Sequence, residues 1–378
     1  MRRAYVWKTK FRARDRLNKY IFSRAQMSLN LVFQNVLYLI KQIEKNMKKT
    51  TVQAGSDIAF VKYWGKKDKI LRLPSNGSIS MILDSLQSKT TVEFLPNLAK
   101  DEIIIGGEVE EGEASRAIKH LDRIRTLAKE KGLIDKDIFA KVVSENNFPK
   151  STGLSSSGSG FAALTMAATK AIGLDLSEKE LSILARQGSG SACRCVCGGF
   201  VEWLDGETSE ESYAQSFAKS EDFDIRDLVA IVSEDKKNLS SSDGHDLAES
   251  SLFFKARQEK IDTKLAAVKR AILQKDFETL GEIVEAEALE FHSILLTSQP
   301  TILLFYPGTI EVMQAVRQLR KTGVPVYFTI NTGFNVHILT LPQYEKQVAA
   351  VLQNLPSVQK IIISGAGNQP EYLEKHLF

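Results

Sequence analysis

From residue 50 onward the apolar and polar positions switch repeatedly between a period near two and a period near 3.6, so strands and helices alternate along the chain. Residues 50–61 read as extended and end in Lys62-Tyr63-Trp64-Gly65-Lys66-Lys67-Asp68. Residues 73–80 read as a turn entering the apolar stretch 81–83, and 90–94 and 102–105 read as strands, with Gly106-Gly107 as a turn. Helical spacing runs over 114–131 and stops at Gly132. Residues 138–144 return to strand character, and Ser177 with Glu180 has the spacing of a capping box opening a helix to Gln187. Past Trp203 the chain turns polar through 207–211, and 228–232 restarts the strand pattern. Helices at 263–273, 276–290, 308–321 and 342–354 then alternate with strands at 324–329, 335–340 and 360–364. The pattern predicts an α+β protein in two halves, 47–225 and 226–378, with no internal repeat and no membrane span.

Charge changes the picture at the N-terminus. The chain has 378 residues and a net charge of +4, but residues 1–46 carry eleven Lys or Arg against two Asp or Glu, a net +9. The rest is −5, a mildly acidic body that argues against a dedicated nucleic-acid binder. Within the basic arm, 29–43 is apolar yet interrupted by Asn30, Gln34, Asn35 and Lys41, too short and too polar to span a bilayer. It lacks the cleavage site of a signal peptide. A transit peptide and a membrane-surface helix remain conceivable; we read the arm as an over-extended gene start, with translation beginning at Met47, and exclude it from the fold. Cys193, Cys195 and Cys197 fall in one five-residue window, where neighbours two apart are poor disulfide partners. They imply packing in a reducing, cytoplasmic setting, since no fourth ligand accompanies them.

The candidate chemistry centres on Asn147-Phe148-Pro149-Lys150-Ser151-Thr152-Gly153-Leu154-Ser155-Ser156-Ser157-Gly158-Ser159-Gly160. An apolar strand precedes this Gly/Ser loop and an Ala-rich helix, 161–169, follows it. Strand, loop and helix start together form a seat for phosphate, because a helix N-terminus presents unpaired N–H groups and partial positive charge. The loop is no Walker A motif, since no Gly-Lys-Ser/Thr closes it. Three more stretches fit an anionic substrate beside a nucleotide. They are the cationic and aromatic 62–67, the arginine-bracketed turn 186–194, and the polar turn 235–244.

These four stretches, in this order, resemble the diphosphomevalonate decarboxylase family of the GHMP kinase superfamily. The family's N-I-A-x-x-K-Y-W-G-K is similar to residues 57–66, its N-F-P-T-A-A-G-L-A-S-S-A-S-G to 147–160, its G-S-G-S-A-C-R to 188–194, and its D-K-K-x-x-S-S-x-x-G to 235–244. The resemblance implies a GHMP kinase fold: an N-terminal domain like ribosomal protein S5 domain 2, then a ferredoxin-like C-terminal domain. It implies ATP-dependent decarboxylation of (R)-5-diphosphomevalonate to isopentenyl diphosphate, with ATP and Mg2+, the metal held through the ATP phosphates. It implies a homodimer without nucleic-acid or membrane partners. On the resemblance, Lys62, Tyr63 and Lys66 hold the diphosphate, with Lys62 also among the catalytic groups. Ser155, Ser156, Ser157, Gly158 and Ser159 line the ATP phosphates, and Ser191 and Arg194 hold the carboxylate and C3-hydroxyl region.

The departures from the family pattern are specific. The family's F-T-x-D-A-G-P-N reads Phe328-Thr329-Ile330-Asn331-Thr332-Gly333-Phe334-Asn335 here, so Asn331 stands in the place of the catalytic aspartate. Asp57 stands where the family has asparagine, as though the two side chains had exchanged. We therefore expect Asp57, Arg194, Asn331 and Lys62 to form the catalytic group. Lys150 replaces threonine beside the phosphate loop, adding a cation, and Phe334 replaces proline. Alternatives are an enzyme for another mevalonate phosphate (a mevalonate 3-kinase or phosphomevalonate decarboxylase) and a catalytically weak ligand-binding relative.

Overall fold

Two antiparallel-rich sheets share a helical hairpin between them. The structure, a computed structural model, describes residues 48–378 apart from 109–110, 151 and 236–240, and the side chains of 111, 113 and 241. The basic arm and its possible roles lie outside the described residues, as does part of the polar turn 235–244.

The first sheet has the order β13-β1-β4-β6-β5. Its strands are β1 (Thr50–Val61), β4 (Ser78–Leu95), β5 (Glu102–Ile105), β6 (Phe139–Asn146) and β13 (Glu371–Leu373). The near end of β4 also pairs with β7 (Phe200–Trp203), which pairs with β8 (Ala214–Ala218). A small hairpin, β2 (Lys66–Asp68) with β3 (Leu73–Pro74), follows β1. Helices α1 (Glu111–Glu130), α2 (Ser156–Ile172) and α3 (Glu178–Gly188) pack with this sheet and with one another. The small side chains of α2 let it lie close on β1 and β4, and most of its residues are buried. The anticipated capping box is present: Glu180 N–H donates to Ser177 Oγ (3.3 Å) and Ser177 N–H donates to Glu180 Oε2 (2.8 Å).

The second sheet has the order β10-β11-β9-β12, from β9 (Arg226–Ile231), β10 (Val326–Thr329), β11 (Val336–Thr340) and β12 (Lys360–Ser364). Alternation gives it two apolar faces. Leu228, Ala230, Phe328 and Ile338 pack with Val312 and Val316 of α6 (Pro307–Lys321) and Val348 of α7 (Glu345–Gln353). Val229, Ile231, Tyr327 and Leu339 turn the other way, onto α4 (Ile261–Gln274) and α5 (Phe277–Thr297). That cluster continues into Ile58, Phe60, Ile79 and Met81 of the first sheet, so one core joins the two halves. The C-terminal strand β13 leaves the second half and pairs with β1 through Thr51↔Leu373 and Gln53↔Glu371. Residues 73–80, read from sequence as a turn, belong mostly to β3 and the start of an 18-residue β4.

Candidate active site

Asp57 is placed by a break in β-pairing. The register of β1 on β4 jumps between Gly55 and Asp57, and such a bulge re-aims the side chains that follow it. Only glycine fits at 55, since a Cβ there would lie 2.5 Å from the Leu83 carbonyl oxygen. Ser56 Oγ then donates to the Leu154 carbonyl at 2.6 Å, tying β1 to the phosphate loop.

The buried Asp57 carboxylate is saturated. Its Oδ1 accepts from Ser155 Oγ at 2.6 Å, and its Oδ2 accepts from Ser80 Oγ at 2.8 Å. Arg194 reaches Oδ2 with Nε at 2.8 Å and Nη2 at 2.6 Å, and its Nη1 donates to Ser78 Oγ at 2.7 Å. Burial alone pushes the Asp57 carboxyl up; the charge of Arg194 and the bonds from Ser155, Ser80 and Arg194 outweigh it and hold the group below its ordinary value. Asp57 is thus a fixed anion that neutralises Arg194, and it has little of the free basicity a proton acceptor needs.

Lys62 lies on the other side. Its Nζ donates to the Ala59 carbonyl (2.5 Å), contacts Thr329 Oγ1 (2.7 Å) and reaches Asn331 Oδ1 (3.3 Å). Asn331 Nδ2 in turn points to the Asp57 carbonyl oxygen at 3.4 Å. So the structure brings Asp57, Lys62, Asn331 and Arg194 together across a separation of 274 residues. Among the described residues no carboxylate bonds Lys62 Nζ directly, and burial depresses its ammonium to about 7, with the charges of Glu287 and Asp57 opposing that shift. Lys62 is 2% exposed, and its Nζ lies beside the Asn331 side chain. Its backbone is clamped: Lys62 N–H donates to Glu287 Oε1 (3.1 Å) and Arg257 Nη2 donates to its carbonyl (2.7 Å). Arg257 and Lys264 both pair with Glu287, at 2.5 and 2.8 Å. His292 Nε2 donates to the Asn331 carbonyl at 3.2 Å, and burial lowers its pKa to about 3, so the ring is neutral.

Tyr63 and Lys66 flank this centre. The Tyr63 ring stacks on His245 with centroids 4.0 Å apart and tilts against Trp203 at 4.5 Å. A Cβ on Gly190 would come within 2.6 Å of that ring, so the 186–194 turn can pass only as glycine. Lys66 Nζ donates to the Ser242 carbonyl (3.0 Å) and pairs with Asp246 (3.1 Å); burial lowers its pKa, with Asp246 opposing.

The phosphate loop closes the site. Ser155 takes a left-handed conformation (φ 56°) where α2 begins, and no acid sits in the first turn. Ser156 and Ser157 open onto a cleft lined also by Ile103, Val142, Arg116 and Lys150. A Cβ on Gly158 would meet Ser155 Oγ at 2.8 Å and Ser191 Oγ at 3.0 Å, so this glycine lets the phosphate loop and the Ser191 turn approach each other. The Ser159 hydroxyl is fully buried and bonds Ser88 Oγ at 2.6 Å. It pins α2 to β4, off the helix face that Ser157, Gly160 and Leu164 present to the cleft. Gly153 and Gly333 touch backbone to backbone, since a Cβ on Gly333 would lie 2.3 Å from the Thr152 carbonyl oxygen. Asn335 locks that junction: its Oδ1 accepts from Val232 N–H (2.8 Å) and its Nδ2 donates to Ser233 (3.1 Å) and Thr152 (3.4 Å) carbonyls.

A family model described as the diphosphomevalonate decarboxylase-like N-terminal domain matches residues 54–214, and one described as the mevalonate 5-diphosphate decarboxylase C-terminal domain matches 227–373. The chain belongs to the diphosphomevalonate decarboxylase family. Among its curated relatives, the diphosphomevalonate decarboxylase of Candida albicans is 35% identical, covering 77% of this chain and 84% of its own length. The phosphomevalonate decarboxylase of Haloferax volcanii is 34% identical, covering 79% and 90%. The solved mevalonate diphosphate decarboxylase of Staphylococcus aureus has a TM-score of 0.81 at 35% identity, covering 88% of this chain and all of its own. That of Enterococcus faecalis gives 0.79 at 35%, covering 87% and 100%. The GHMP kinase fold expected of the family is the fold observed.

Sequence reasoning did not reach Ser78, Ser80, Thr329 as a lysine partner, Glu287, Arg257, His292 or His245. Thr329 lies within the quoted 328–335 stretch and His245 directly after 235–244, while Ser78, Ser80, Arg257, Glu287 and His292 meet the site from stretches with no motif of their own.

Proposed function

We propose that the chain catalyses ATP-dependent decarboxylation of (R)-5-diphosphomevalonate to isopentenyl diphosphate, releasing ADP, phosphate and CO2. The observation that carries this reading is the buried Asp57–Arg194 pair set beside the start of α2, which joins a carboxylate-recognising arginine to a phosphate seat. A tertiary alcohol leaves poorly. Transfer of the γ-phosphoryl group to the C3 oxygen, whose proton passes to a phosphate oxygen, turns it into a leaving phosphate while ADP departs. The C3–O bond then breaks with its electron pair on phosphate, and the C1–C2 pair forms the alkene as CO2 departs. Arg194 retains N–H groups beyond those given to Asp57 and Ser78 and orients the substrate carboxylate, while Asn331, held by Lys62, Asp57 and His292, orients the C3 hydroxyl. Tyr63 and Lys66 take the 5-diphosphate, and Ser156 and Ser157 with the α2 N-terminus take the ATP phosphates. Phosphoryl transfer rests mainly on such positioning and charge, so the reaction survives without an aspartate at 331.

A similar solved structure, 35% identical, is described as a complex with MVAPP, AMPPCP and magnesium. Among the described residues no cluster of His, Cys, Asp or Glu could hold a metal by itself. The site's donors, hydroxyls and N–H groups, fit a nucleotide that brings its own Mg2+, which would neutralise phosphate charge. We assign the nucleotide to the 47–225 half, with 226–378 closing over the substrate, and place the protein in the cytoplasm as a homodimer. Among the described residues no helix is long and apolar enough to cross a membrane.

One observation favours a second reading, the 5-monophosphate as substrate: Lys66 is already paired with Asp246, which reduces the charge available to a diphosphate. Steady-state ADP release with mevalonate carrying zero, one or two 5-phosphates decides. We expect kcat/KM to be highest for the diphosphate; a higher value for the monophosphate would install the second reading.

A further inference from the structure

Lys62 stands just past the end of a strand. The β1–β4 ladder closes at Val61↔Ile79, so the buried Lys62 N–H and carbonyl need partners from elsewhere. The second half supplies them. Glu287 of α5 accepts from the Lys62 N–H at 3.1 Å, and Arg257, in the short helix Phe254–Gln258, donates to the Lys62 carbonyl at 2.7 Å. Asn76 donates to the same carbonyl at 2.9 Å and accepts from Arg257 at 3.3 Å, which braces the clamp against the first half. Five residues further on in α5, about 7.5 Å along its axis, His292 donates to the Asn331 carbonyl at 3.2 Å. One helix therefore holds both residues that meet at the Lys62 Nζ–Asn331 Oδ1 contact of 3.3 Å.

Satisfying an N–H needs only a neutral acceptor. Glu287 is instead a fully buried carboxylate, with Arg257 on Oε1 at 2.5 Å and Lys264 on Oε2 at 2.8 Å. A buried ionic cluster is often no more stabilising than apolar side chains of the same volume, so stability does not account for the charge. Its effect at Lys62 does. Asp57 and Arg194 from the first half, and Glu287, Arg257 and His292 from the second, face Lys62. Burial lowers the Lys62 pKa to about 7, and Glu287 is the foremost charge opposing that shift, ahead of Asp57. On the reading that Lys62 and Asn331 belong to the catalytic group, we infer that Glu287 is a positioning residue for the reaction: from α5 it fixes the Lys62 peptide and favours the charged ammonium, while His292 of the same helix fixes Asn331.

Glu287→Gln tests this on the full chain, because the amide oxygen still accepts from the Lys62 N–H while the charge is gone. Steady-state ADP release with Mg-ATP and diphosphomevalonate should show kcat lower by ~10- to 100-fold, the scale of a misplacement of up to about 1 Å, with KM for both substrates little changed. An ammonium needed in its charged form is lost as pH rises, so the alkaline limb of the kcat profile should move to lower pH in Glu287→Gln. Lys264→Met removes a cation from the other carboxylate oxygen and should move the same limb to higher pH. Loss of a purely structural clamp does not produce opposite displacements. Limbs that stay in place, or that move the same way in both variants, overturn the inference, as does wild-type kcat in Glu287→Gln. If Glu287→Gln does not fold, Lys264→Met carries the test alone: a limb moved to higher pH supports the inference, and one unmoved or moved lower overturns it. Urea unfolding against pH reads the same group without substrate. The rise in stability that starts near pH 7, as the folded chain releases the Lys62 proton, should start at lower pH in Glu287→Gln and at higher pH in Lys264→Met. Those displacements without any CO2 release would refute the decarboxylase reading and leave the role of Glu287 at Lys62 standing.

Discussion

Replacing Asp57 with asparagine removes one charge and almost no volume, so its effect reads the electrostatics of the site. Four O–H and N–H donors converge on this carboxylate, Ser155, Ser80 and Arg194 twice, with the Cys195 thiol a fifth, weaker donor to Oδ1 at 3.7 Å. In the variant Arg194 is left buried, 4% exposed, without its counter-charge. Breaking a buried pair from one side costs ~3–5 kcal/mol, and the asparagine amide must also face at least one of these donors with a donor of its own. We expect urea unfolding at pH 7 to show a loss in that range. The contribution of Asp57 is present at pH 7 because its folded-state pKa is lowered; it is lost only on acidification through that lowered value. Catalysis should suffer too, because an uncompensated Arg194 re-aims toward other acceptors. A fall in kcat/KM of at least ~100-fold corresponds to about 2.7 kcal/mol. Adding Asn331→Asp returns a carboxylate to the site, 3.3 Å from Lys62 Nζ as the asparagine oxygen now is, and only one residue's breadth from the Asp57 backbone. The double variant should recover activity relative to Asp57→Asn, with a coupling of ~0.5–3 kcal/mol. Strict additivity in both stability and kcat/KM, or a single variant that costs under ~1 kcal/mol, would refute the argument that these two positions share one charge.

Arg194→Lys keeps the charge and loses the fork that reaches Asp57 and Ser78 together; we expect kcat to fall ~100-fold, with KM for ATP little changed, measured by steady-state kinetics. Gly333→Ala drives a methyl against the Thr152 carbonyl and should force the phosphate loop and the 331–335 turn apart, costing ~1–3 kcal/mol in chemical denaturation and raising KM for ATP. The lowered pKa of Lys62, about 7 against 10.5, means the unfolded chain binds a proton that the folded chain does not between those values. Stability should therefore rise with pH above about 7 by up to ~1.4 kcal/mol per unit, compared with Lys62→Met between pH 7 and 8.5. Parallel pH profiles for the two would show that Lys62 stays charged.

The elements that could be read from sequence were those whose burial follows a single period. β1, β5 and β12 begin and end where the pattern places them, and α1, α3 and α6 agree to within a few residues. What failed to show were pairings decided elsewhere. Nothing local says that Glu371–Leu373 should leave its own half and join β1, or that Ala214–Ala218 should extend the sheet through β7. In the site, the four expected groups do meet. Ser155, Ser156, Ser157 and Ser159 look alike in sequence. On a helix advancing 100° per residue, the cleft face centres on Ser157, Gly160 and Leu164, and Ser159 falls well off it, turned into β4. Lys62 looks like one of three equivalent cations in a basic stretch, yet it follows a buried strand and points inward to Thr329, while Lys66 falls on the β2–β3 hairpin and pairs with Asp246. Glu287 and Arg257 had no signal, because a buried ion pair 30 residues apart follows neither period.

Product stoichiometry tests the central claim most directly. Purified full-length protein is incubated with Mg-ATP and diphosphomevalonate labelled at C1, and released CO2 and ADP are quantified over the same time course. The account predicts CO2 and ADP in equal amounts, with isopentenyl diphosphate formed at the same rate and no CO2 when ATP is withheld. ADP without CO2, or nucleotide binding without either product, would contradict it.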